Sequence, residues 1–196
     1  MSMPPEVRHP LGLPAGSIRA LLAIAITAMF WVYLVVLPSP VPLYMYFMLA
    51  LIPVFFAGHG YTIGQSGPNP LYLPRGTIRG LLLAGSIGVL VWQLATEPNV
   101  LQQLEPAQAE LKDWPIYFLS LMGGCTLGWL IGRGPWRRSA AFQDVQAWAS
   151  LLALLAFGAE IVIDLVIKPQ APILTQREIW HAIIIGIMGF YFASRS

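Results

Sequence analysis

The sequence predicts an all-α integral membrane protein: six transmembrane helices in three hairpins, the first two a parallel tandem duplication. Three observations predict it. Of 196 residues, 57% are hydrophobic and 10% charged, whereas globular domains carry roughly 25% charged residues. A soluble fold would lack the charge to clothe its surface, and a bilayer is the solvent that tolerates this balance. Six apolar runs, bounded by Pro, Gly or polar residues, follow one another along the chain. Finally, one stretch occurs twice: Leu11-Gly-Leu-Pro14-Ala-Gly16-Ser17-Ile-Arg19-Ala-Leu-Leu22 returns as Leu71-Tyr-Leu-Pro74-Arg-Gly76-Thr77-Ile-Arg79-Gly-Leu-Leu82. Eight of these twelve positions are identical, and Ser/Thr and Ala/Gly exchanges account for two more.

Crossing the hydrocarbon core takes about 20 helical residues. The six expected spans are Ile18–Leu37, Leu43–Gly58, Ile78–Ala95, Pro115–Ile131, Val145–Ile167 and Ile179–Ala193. The first run is too long for a signal-peptide core, and its entry motif recurs deep inside the chain, so it reads as a retained helix. The second and sixth are short; a re-entrant second helix is the alternative, and tilt or local thinning accommodates the sixth. Pro38, Pro40 and Pro42 force the first turn, since proline fixes φ and removes a donor. Loops fall at residues 59–74, at the acidic stretch Thr96–Trp114, after Gly132-Arg-Gly134-Pro135, and at Lys168-Pro169.

The repeat extends beyond the entry motif. Pro42-Leu-Tyr44 is matched by Pro115-Ile-Tyr117, and Gly58-His59-Gly60 by Gly132-Arg133-Gly134. A two-helix unit returns the chain to its starting side, so the copies share orientation. The expected organisation is an N-terminal segment 1–17, hairpins 18–64 and 78–134 joined by the loop 65–77, a loop 135–144, and a third hairpin 145–196. Lys and Arg divide eight to three between the two sides, with Lys112, Lys168 and Arg177 in the minority. That bias puts both termini in the cytoplasm, as in a bacterial inner membrane.

Ser17 and Thr77 stand where helix N-caps stand. Arg19 and Arg79 fall in the first helical turn, where a cation opposes the helix dipole. A positive-inside anchor, or a grip on anionic lipid or phosphate, explains them instead. Gly80, Ala84 and Gly88, and likewise Gly124, Gly128 and Gly132, lie four apart; such faces let membrane helices approach closely, and the two ladders are expected to face each other. Glu160 and Asp164 share a helical face with Ala149, Ala153 and Ala156. A carboxyl at that depth is costly if charged and is expected to be paired, hydrated or protonated. His181 begins the last span at comparable depth, so the three converge as a hydrogen-bond network, an ion or proton site, or a metal set.

Cys125 is the only cysteine, so no internal disulfide forms. His59, between two glycines and matched by Arg133, reads as an interfacial cation. There is no Gly-rich phosphate loop, no His-Glu-x-x-His and no Gly-x-Ser-x-Gly, and no basic tract for nucleic acid. No cofactor is expected. The sequence therefore favours a non-enzymatic structural or accessory subunit, associated with itself or with other membrane proteins and surrounded by lipid. A small proton- or cation-linked transporter or channel using the intramembrane carboxylates is the alternative; the absence of a visibly broken helix counts against it.

Overall fold

A computed structural model describes residues 17–36, 40–57, 70–74, 76–97, 99–133, 139–162 and 177–194. Asp164, His59 and Leu11–Gly16 of the first motif copy lie outside them. Among the described residues every element is helical. The helices are α1 (Ser17–Val35), α2 (Leu43–Leu49), α3 (Ile52–Ala57), α4 (Thr77–Thr96), α5 (Val100–Gln103), α6 (Trp114–Arg133), α7 (Ala140–Val162) and α8 (Arg177–Ser194). Three stretches are long and apolar enough to cross a membrane: Ser17–Val35, Thr77–Thr96, and Val100–Arg133, which contains α6.

The bundle has a centre and a rim. Half of α1's apolar window is buried inside the protein, against 11% of α4's. Ala20, Leu22, Ala23 and Ile26 of α1 are fully buried, as are Ile185, Met188 and Phe192 of α8. Around them α4, α6 and α7 turn Leu81, Leu83, Ile87, Leu119, Leu127, Leu130, Leu152 and Leu155 outward. Such a belt of large apolar side chains suits hydrocarbon and would aggregate in water.

The expected second span is interrupted. Its chain crosses the bundle beside α1, with Tyr33 opposite Tyr44 at one end and Arg19 opposite Val54 at the other. It therefore runs alongside α1, and it does so as two short helices. The cause is Pro53. It has no N–H for the carbonyl of Leu49, and its ring crowds that carbonyl, so α2 ends at Leu49 and α3 starts at Ile52. This corrects the sequence-based reading, which saw no broken helix in this half of the chain.

Residues 99–113 form a built lid over the start of α2. Glu110 Oε2 accepts a hydrogen bond from the Leu43 N–H at 2.7 Å, an acidic cap on α2's positive end. Val41 N–H donates to the Gln103 carbonyl at 2.9 Å, and the Tyr46 hydroxyl donates to the Leu104 carbonyl.

The two small-residue ladders do not face each other. A Cβ added at Gly124 or Gly128 would strike the carbonyl oxygens of Gly186 and Phe190, and one at Gly132 would lie 2.8 Å from that of Ser194. The ladder of α6 thus seats on α8, in a register that advances in the same direction on both helices, so α6 and α8 run parallel. The α8 face is small too, with Gly186 and Gly189 there. By contrast, nothing lies within 4 Å of a Cβ added at Gly80 or Gly88, and Gly80, Ala84 and Gly88 are exposed. The other face of α4 rests on α1. There the Trp31 ring lies over Gly85, Trp31 Nε1 donates to Ser86 Oγ at 3.2 Å, and buried Gln93 donates to the Leu34 carbonyl.

Candidate functional site

At the end of the bundle where α1 finishes and α2, α6 and α8 begin, His181 is held from several sides. It is 8% exposed. Its Nε2 lies 3.5 Å from Glu160 Oε1 of α7, and Glu160 is 2% exposed. Nδ1 lies 3.4 Å from the Tyr117 hydroxyl of α6. The ring stacks on Tyr44 of α2, centroids 4.0 Å apart and planes at 20°. Tyr44 in turn shares a 2.8 Å hydroxyl contact with Tyr33 of α1, and Phe157 packs edge-on against it.

Tyr44 and Tyr117 end the two matched Pro-x-Tyr triplets. They meet one imidazole carried by α8, Tyr44 through its ring face and Tyr117 through its hydroxyl. The contacts on the two ring nitrogens are long for hydrogen bonds, but each is electrostatically stronger in a low-dielectric interior than in water. The arrangement can hold an imidazole in a fixed plane and share a proton between His181 and Glu160. It brings together two of the three residues expected to converge; Asp164 is outside the described residues. Among these, no group of three or more His, Cys, Asp or Glu side chains lies close enough to hold a metal ion.

The repeated arginines have protein partners. Arg19, 5% exposed, donates to the Val54 carbonyl at 3.4 Å and lies over the Phe192 ring. Arg79 donates to the Phe56 carbonyl at 2.7 Å and lies over the Phe56 ring. Both therefore serve the last turn of α3, where carbonyls lack intrahelical donors and the dipole welcomes a cation. Each cation opposes the dipole of its own helix but suits that of α3.

Ser17 and Thr77 differ in role despite their matching positions. Ser17 is buried, and its Oγ accepts from the N–H of Leu71 at 2.9 Å, so the first copy clasps the first residue of the second. Leu71 has φ of 53°, an uncommon backbone conformation for this residue type. Thr77 is exposed at the start of α4, preceded by Gly76 at φ 86°; a glycine is required there because that region crowds a Cβ. Sequence reasoning missed Tyr33, Gln93, and Gln146, which donates to Ser194 Oγ. The Pro-x-Tyr match was the available signal for Tyr44 and Tyr117.

Comparison with known protein families, curated proteins and solved structures finds no match for this chain.

Proposed function

We propose that the chain is a non-enzymatic structural or accessory subunit of a membrane complex, with six spans in three hairpins, the first two a tandem duplication, and both termini in the cytoplasm. The observation that carries this reading is the use of the buried polar side chains. Buried Arg19, Ser17, Gln93 and Gln146 each bridge two separate segments, as does half-buried Arg79. The polar chemistry is spent on holding this bundle together, while the rim of α4, α6 and α7 is apolar and fit for lipid or another membrane protein. The parallel register of α6 on α8 supports the six-span topology, since helices four and six must run the same way across the membrane. The partners are neighbouring copies or other membrane proteins, with lipid, including anionic lipid near the arginines, filling the rest. The experiment is gentle extraction from the native membrane and measurement of particle mass. A particle much heavier than one chain and its detergent supports the subunit reading; a monomer defeats it.

A second reading, a small proton- or cation-linked transporter, is favoured by the Glu160–His181 pair beside a span broken at Pro53. Discontinuous helices and intramembrane ionisable groups are the usual furniture of transport sites. Proton flux in reconstituted vesicles, lost on Glu160→Gln while the particle keeps its mass, is its test.

A further inference from the structure

We propose that Glu160 and His181 form a binding site for one exchangeable proton, entered from the acidic end of the bundle through the hydroxyl of Tyr117. This rests on the ion-or-proton reading of that pair and extends it by naming the ligand and its way in. Tyr117 faces Nδ1 at 3.4 Å, and Glu160 faces Nε2 at 3.5 Å, so each ring nitrogen has a different proton-bearing or proton-accepting group within one short step, and among the described residues buried Nε2 makes no hydrogen bond that would hold its proton elsewhere.

A proton arriving at the Tyr117 oxygen lets that oxygen release its own to Nδ1, while the hydrogen on Nε2 passes to Glu160 Oε1. One proton enters and none is lost. The carboxylate becomes a carboxylic acid and the imidazole exchanges tautomers. The stack on Tyr44 fixes the ring plane and, through the π face, favours any imidazolium formed in passing.

Charges converge on the mouth. Glu110, Asp113 and Glu178 act electrostatically on Tyr117, and Arg177 acts on His181. Among the described residues, the groups around the pair include Tyr44 from α2, with Tyr33 of α1 behind it, Tyr117 from α6, and Arg177 and Glu178 from α8's own first turn. Three carboxylates at the mouth concentrate protons there, and the arginine opposes a lasting second charge on the imidazole, so the site holds one proton at a time.

The test is infrared difference spectroscopy of the full-length protein in phosphatidylcholine vesicles through a pH series. It reads the C=O band of a protonated carboxyl directly and needs no reagent to reach the site. The expected result is a C=O band of a protonated glutamate carboxyl that appears and disappears reversibly within the series. Glu160→Gln abolishes it, His181→Gln moves its midpoint, and Tyr117→Phe slows its deuterium exchange several-fold with the midpoint kept. Should Glu160→Gln fail to assemble, isotope labelling of glutamate carboxyls in the unaltered protein identifies the band. A spectrum with no such glutamate band, or a band indifferent to His181→Gln, overturns the site. An intact site with no proton flux in the same vesicles would sink transport alone.

Discussion

The contrast between the two glycine ladders yields a sharp prediction. In Gly128→Ala the new methyl group would lie 3.0 Å from both the Cα and the carbonyl carbon of Phe190, and closer still to its oxygen. Carbon atoms in van der Waals contact sit about 3.5–4.0 Å apart, so α6 and α8 must separate by roughly 0.5–1 Å. The obstacle is backbone, which cannot rotate aside. Overpacking of this kind costs about 1–3 kcal/mol, and alanine's better helix propensity returns up to about 1 kcal/mol. With the full return the net is a loss of up to about 2 kcal/mol. Gly80→Ala meets nothing within 4 Å, receives the propensity gain alone, and is expected to be neutral or up to about 1 kcal/mol stabilising. The two substitutions are chemically identical and should differ in sign. Tryptophan fluorescence during detergent-driven unfolding measures both, since seven tryptophans report on the bundle. Equal effects of Gly128→Ala and Gly80→Ala would refute the assignment of the α6 ladder to the α8 contact.

Two further outcomes follow from the same packing. Tyr33→Phe and Tyr44→Phe each remove one side of a buried hydroxyl pair and are expected to cost about 0.5–1.5 kcal/mol, but the double variant should cost clearly less than the sum; strict additivity in a double-mutant cycle would disprove the 2.8 Å contact. Pro53→Ala restores a donor for the Leu49 carbonyl and is expected to fuse α2 and α3, seen as slower amide exchange across residues 50–53, whereas unchanged exchange would show that Pro53 does not cause the break.

The membrane class was legible because composition alone rules out a charged coat, and the entry motif was legible because it is written twice. What escaped was pairing. A ladder such as Gly124, Gly128, Gly132 announces a close approach without naming the helix approached, and the naming is done by Gly186 and Gly189, sixty residues on. Arg19 escaped because its benefit belongs to α3 and not to α1. Pro53 was in plain view, but an apolar run reads as continuous when only hydropathy is followed. At the candidate site, Glu160 and His181 stood out as ionisable groups in apolar runs, whereas Tyr44 and Tyr117 were visible only as matched positions of the two Pro-x-Tyr triplets and Tyr33 carried no signal at all.

The central position of α8 has a consequence for biogenesis. The helix that α2, α3, α6 and α7 all touch is the one that leaves the ribosome last among them. Until it arrives, the glycine ladder of α6 faces an empty groove and Tyr44 has no imidazole to stack upon. Even α2 must wait for its cap, because Glu110 is translated 67 residues after Leu43. A nascent chain halted before residue 177 therefore holds its early helices with their principal seams unclosed.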